Sequence, residues 1–192
     1  MKNFTFVLSF LMIFMLLAAC ATPPTEEMNS AHEAVARAEN NADAVRFAGN
    51  ILTRARDALT SMQNEADAKR YEAAKNLAAE AIVLADRAIE EGMMGAIRAR
   101  EEAAALINGL AGPLEETNNA LETAGQDASL DLDYTALSSE MDSARRSYDD
   151  ARRNLQNNNF QDAIAGGHHV RSTLTGINAA ITNAALAASR KQ

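Results

Sequence analysis

From Tyr71 onward, small or apolar residues recur in alternating steps of three and four: Tyr71, Ala74, Ala78, Ala81, Ala85, Ala88, Gly92, Gly95 and Ala99. This spacing gathers them on one face of a helix. Nearly every member is small, which predicts a seam where two antiparallel helices approach closely with coiled-coil periodicity, flanked by Leu77, Leu84, Ile89, Met93 and Ile97. An earlier stripe runs through Met28, Ala31, Val35, Ala38, Ala42, Val45, Ala48, Leu52, Ala55, Leu59 and Met62. It predicts one long helix that starts after Thr25 and ends between Asn64 and Lys69. Glu26 and Glu27 fall in its first turn, where the helix dipole favours acids. Downstream, Gly109-Leu110-Ala111-Gly112-Pro113 stops the second helix, and Pro113 suits the first turn of a short helix reaching Ala124. Gly125 to Asp133 predicts a loop, with Asp131 or Asp133 capping the next helix. The stripe then resumes at Tyr134, Leu137, Met141, Ala144, Tyr148, Ala151 and Leu155. It turns at Asn157-Asn158-Asn159 and continues through Phe160, Ala163, Gly167, Val170, Leu174, Ile177, Ile181, Ala184 and Ala188.

A shift of 89 residues superimposes the two halves in pattern. Leu52 falls on Met141, Ala55 on Ala144, Arg56 on Arg145 and Leu59 on Tyr148. Across the turn, Tyr71 falls on Phe160, Ala74 on Ala163, Ala81 on Val170, Ala85 on Leu174 and Ala88 on Ile177. The phase survives the intervening turn, which independent amphipathic helices have no reason to do. Each unit reads as a long hairpin unable to bury its stripe alone. The expected fold class is all-α. Two long antiparallel helical hairpins, residues 28–112 and 113–190, would form a four-helix bundle or an elongated coiled-coil-like array. Composition agrees: alanine is abundant, tryptophan is absent, and the prolines stand only at 23, 24 and 113.

The segments Arg70-Tyr71-Glu72-Ala73-Ala74 and Asn159-Phe160-Gln161-Asp162-Ala163 resemble the Gly/Asn-Tyr/Phe-x-x-Ala turn of alanine-rich helical hairpins. Short bacterial lipoproteins of an uncharacterised family, described as a domain of unknown function, carry such hairpins. That resemblance implies a fold and brings no reaction with it. Tetratricopeptide proteins use a related turn, but helices of roughly 30 to 40 residues are too long for their 34-residue two-helix unit.

The N-terminus has a different composition from the rest of the chain. Lys2 precedes a nearly unbroken apolar run from Phe4 to Leu17, about 14 residues, which matches the core of a secretory signal and is short for a bilayer span. Leu17-Ala18-Ala19-Cys20 follows and contains the only cysteine. It resembles the lipobox of bacterial lipoproteins. The resemblance implies cleavage of a signal peptide, residues 1–19, and acylation of Cys20 with fatty chains such as palmitate. Two or more chains, at about 0.8 kcal/mol per buried methylene, hold a protein on a membrane almost permanently. Ala21 is not the aspartate that commonly retains such proteins at the inner membrane, so the implied address is the periplasmic face of an outer membrane. Residues 20–27 read as the lipidated cysteine and a short Pro-rich tether, in which Pro23-Pro24 favours an extended spacer.

Loss of residues 1–19 removes one base, Lys2, and no acid, so the net charge moves from −8 to −9. That balance argues against a nucleic-acid partner and against a polybasic membrane patch. With one cysteine there is no internal disulfide, and packing must supply the stability.

The residue pattern offers no catalytic constellation. His168 and His169 stand about 100° apart on a helix and cannot both face one metal, and His32 is isolated. Arg145-Arg146 and Arg152-Arg153 are interleaved with Glu140, Asp142, Asp149 and Asp150 at helical pairing distance, which predicts a self-neutralised solvent face. Glu101-Glu102 and Glu115-Glu116 are acidic pairs without a partner base, and Met93-Met94 reads as core or seam. No phosphate-binding glycine loop, nucleophile elbow or Cys-His pair appears. The expectation is a non-enzymatic protein without metal or cofactor. It would be anchored through Cys20 and act as a structural or adaptor module on an envelope protein or the cell wall, with self-association possible. The alternative is a carrier of a small ligand, with a pocket where Gly92, Gly95 or Gly166-Gly167 leave room.

Overall fold

A computed structural model describes residues 22–190. Leu17, Ala18, Ala19 and Cys20 lie outside the described residues, as does the whole signal segment 1–19. Among the described residues the chain is all-α, with seven helices and no strand: α1 (Thr25–Glu39), α2 (Ala42–Phe47), α3 (Gly49–Asp67), α4 (Tyr71–Asn108), α5 (Ala111–Gln126), α6 (Tyr134–Gln156) and α7 (Phe160–Ser189). They form two compact units, one ending at Gly95 and the other beginning at Ala96, so the division falls inside α4.

In the first unit, α1, α3 and the first part of α4 share one core. It contains Ala31, Val35 and Ala38 of α1, Leu52, Ala55 and Met62 of α3, and Ala74, Ala78, Ala81, Ala85 and Ala88 of α4. The core is lined mostly by methyl groups, so the backbones must come close to leave no void. The expected single first helix is interrupted twice. Asn40 and Asn41 break it, and the Asn41 side chain accepts from the Ala44 amide at 2.9 Å, starting α2 afresh. Ala48, outside helical geometry at φ −127°, separates α2 from α3. The breaks shift the phase of the stripe. Ala42 and Val45 were expected inside and are exposed, while Ala44 takes the buried place.

The second unit is built on larger side chains. Leu106, Leu110, Leu114, Leu121, Met141, Val170, Leu174 and Ile177 form its core, with Leu137, Tyr148 and Ile181 at the margin. Helix α5 buries Leu114, Thr117, Leu121 and Ala124, a three-four-three spacing equal to that of Met28, Ala31, Val35 and Ala38 on α1. Each unit therefore sets a third helix against a hairpin.

The hairpin turns are alike bond for bond. Lys69 (φ 59°) and Asn158 (φ 61°), 89 positions apart, are the non-glycine residues with positive φ among the described residues. The Arg70 amide donates to the Glu65 carbonyl at 2.9 Å and the Lys69 amide to Ala66 at 2.9 Å. The Asn159 amide donates to Asn154 at 2.8 Å and the Asn158 amide to Leu155 at 3.2 Å. This double closure over a left-handed residue satisfies the last carbonyls of α3 and α6.

Candidate functional site

Among the described residues, Thr22, Pro23 and Pro24 lead into α1 at one end of the first unit. Pro24 precedes the first helical residue, and the Met28 amide closes the first turn onto the Pro24 carbonyl at 3.0 Å. The helix begins at Thr25, and Glu26 and Glu27 lie in its first turn. Residues Thr22–Glu27 line a polar groove of about 460 Å³, whose other wall is Tyr71, Glu72 and Lys75 at the start of α4. Lys75 Nζ lies 2.9 Å from Glu27 Oε1 and ties the two helix starts together. Hydrogen bonding to Lys75 holds the Glu27 carboxyl below the ordinary glutamate range, and the same bond raises Lys75. Beside it, the Arg70 guanidinium pairs with Glu65 through Nε and Nη2. That contact lowers Glu65 and raises Arg70. The groove is lined by the Glu27–Lys75 ion pair together with the Glu26 and Glu72 carboxylates and the Tyr71 side chain.

A second groove, of about 400 Å³, lies in the second unit between the loop before α6 and the end of α7. Its lining is mainly apolar, with Leu132, Leu137, Ala180, Ala184 and Ala188, and Asp131 and Asp133 stand at its lip. Asp133 is also the cap of α6, accepting from the Ala136 amide at 3.0 Å. Ser129 folds the preceding loop by donating its amide (2.9 Å) and hydroxyl (2.6 Å) to Asp127, which lowers that carboxyl.

The glycines expected to leave room are instead filled by neighbours. A Cβ on Gly92 would stand 2.5 Å from the Ala44 amide nitrogen, one on Gly95 2.5 Å from the Phe47 Cβ, and one on Gly167 2.7 Å from a Leu106 methyl. Gly166 is closed by the Ala151 methyl at 3.1 Å. Glycine at these places permits close approach of elements. Because Gly92 and Gly95 take the buried positions, Met93 and Met94 turn outward at 52% and 42% exposure, not into core or seam as expected. The apolar groove was not legible in the stripes, because its loop wall has no periodicity.

His32, His168 and His169 are all exposed. No group of three or more potential metal-ligating side chains converges among the described residues. Three of the four paired arginines on α6 are matched by acids three residues before them: Arg145 with Asp142 at 3.7 Å, Arg152 with Asp149 at 3.9 Å, and Arg153 with Asp150. Arg152 also lies over the Tyr148 ring at 5.7 Å. The two glutamate pairs sit on exposed helix faces. No described helix is long and apolar enough to cross a membrane.

These features define an alanine-rich, all-helical protein over the described residues. Residues 26–106 match the model of a family described as "Domain of unknown function (DUF4398)", and this part of the chain is similar to that family. The match takes in α1, α2, α3 and almost all of α4. No curated protein and no solved structure matches the chain.

Proposed function

We propose that the protein is a lipoprotein of the bacterial envelope, anchored through acylated Cys20 at the periplasmic face of the outer membrane. Its helical body acts there as a structural or adaptor module and breaks no bonds. The observation that carries this reading is Leu17-Ala18-Ala19-Cys20 standing directly behind the apolar run Phe4–Leu17. The described residues fit it in two ways. Helix begins five residues after the cysteine, leaving a tether too short for wide search. The faces left to solvent carry matched charges suited to recognition of a protein or of cell-wall polymer. Fractionation of cells expressing the Cys20→Ser chain tests it. The unaltered protein should sediment with outer membranes and incorporate an alkynyl palmitate, while the variant should remain unlabelled and leave that fraction. Equal sedimentation and no label in either chain would reject the anchor.

The second reading, a carrier of a small apolar ligand, is favoured by the groove lined by Leu132, Leu137, Ala180 and Ala184. Its volume of about 400 Å³ lies within the usual range of roughly 300 to 1,000 Å³ for ligand sites. A solvatochromic apolar probe that brightens with the natural chain, and not with Ala184→Glu, would support it. No brightening with either would reject it.

A further inference from the structure

We propose that the end of the first unit formed by the tether and the α3–α4 turn is the face that meets lipid headgroups, and that covalent reach imposes this contact while charge attraction does not. The inference rests on the acylation of Cys20 proposed above. The described residues begin at Thr22, which itself lines the groove with Tyr71, Glu72 and Lys75. Cys20 and Thr22 are two peptide steps apart, so their Cα atoms are separated by at most about 7.6 Å. The polar layer of one leaflet is roughly 5 to 8 Å thick, half the difference between whole bilayer and hydrocarbon core. A sulfur whose chains enter the hydrocarbon therefore keeps Thr22 within or just above the headgroups. The groove wall comes with it, because Glu27 and Lys75 lock the start of α1 to the start of α4. Ala68, Lys69 and Arg70 form the turn leading into that wall.

The link at Cys20 places no such limit on the opposite end of the unit. Helix α1 has 15 residues and spans about 22 Å, so Asn40 at its far cap lies roughly that far along the helix from the tether. Charge does not produce this orientation. Arg70 is engaged by Glu65 and Lys75 by Glu27, and the remaining base, Lys69, is outnumbered by Glu26, Asp67 and Glu72 at the same end. The surface offers anionic lipid little net attraction.

The single cysteine makes the test clean. In the mature protein purified from membranes, acylation blocks Cys20, so a maleimide bimane reports only an introduced thiol. Ala68→Cys and Asn40→Cys place one at each end of the unit, on exposed residues. In phosphatidylcholine vesicles containing a headgroup nitroxide lipid, the label at 68 should be quenched several-fold more than the label at 40. That difference should persist from about 0.01 to 1 M salt, over which the Debye length falls from roughly 30 to 3 Å. Equal quenching at both positions, or stronger quenching at 40, overturns the orientation. A 68-specific quench that disappears in high salt overturns the argument from reach. Labelling of the protein without an introduced cysteine overturns the acylation beneath both, which separates that failure from the others.

Discussion

The α3–α4 and α6–α7 hairpins share a turn and a register but not a core. Leu52, Ala55, Ala74, Ala81, Ala85 and Ala88 are buried in the first; Met141, Ala144, Ala163, Val170, Leu174 and Ile177, each 89 positions on, are buried in the second. Positions 89 apart are thus filled in two ways. Where the seam is alanine, a neighbouring backbone must come close, as Ala44 does against Gly92. Where it is valine, leucine and isoleucine, the side chains themselves fill the space between helices. The first solution is intolerant of added volume and the second of removed volume.

Exchange of equivalent residues should expose that difference most strongly. Ile177→Ala should cost about 2–5 kcal/mol, read as a lowered denaturant midpoint with faster hydrogen exchange in α6 and α7. Ala88→Ile should cost about 1–3 kcal/mol, with the loss of protection falling on α1 and α3. If Ala88→Ile were neutral, the methyl-lined seam would not be tightly packed and the comparison would fail.

Glycines sharpen the same point with a change of sign. Gly92→Ala gains up to about 1 kcal/mol of helix propensity, but its Cβ would meet the Ala44 backbone at 2.5 Å, so a net loss of about 1–2 kcal/mol is expected. Gly176 has nothing within 4 Å of a built Cβ, and Gly176→Ala should stabilise by about 0.5–1 kcal/mol. Thermal unfolding of the two variants side by side reads both signs.

The turns differ in one residue type at the left-handed position. Lysine pays a steric penalty there that asparagine largely escapes. Lys69→Gly should therefore stabilise by up to about 1 kcal/mol, while Asn158→Gly should change the midpoint by less than half of that.

The smallest effect concerns the Glu27–Lys75 pair, which has no counterpart in the second hairpin, where Ile164 stands 89 positions after Lys75. Glu27 binds its proton less readily folded than unfolded, so the unfolded chain holds more protons in the acid range. The contribution is present above the ordinary glutamate range and lost as pH falls through the lowered folded value. Glu27→Gln should be slightly less stable than the natural chain at neutral pH and equal to it in acid. A difference that grows on acidification would contradict the pairing.

Much of this architecture was legible in the residues. The stripe from Ala74 to Ala99 is buried at every position because one regular helix keeps one phase, and α7 follows its stripe from Phe160 to Leu174 for the same reason. Asp133 caps α6 as its short acidic side chain before an apolar period predicts. The first helix was misread because stepwise spacing continues arithmetically across Asn40-Asn41, where side-chain capping restarts the backbone and advances the phase. The outward turn of Met93 and Met94 was hidden similarly. Large apolar residues beside a seam read as core until backbone approach at Gly92 and Gly95 takes the inner places. The grooves are made by loops and chain starts, whose geometry has no period to read. Cys20 is the reverse case: all its information lies in short-range order along the chain, in residues outside the described structure.

Intact and peptide mass spectrometry of the protein purified from native membranes tests the anchor directly. The account predicts that the mature chain begins at Cys20, with acyl chains on that residue and none of residues 1–19 present. A chain that retains Met1 through Ala19 and carries an unmodified Cys20 thiol would contradict it.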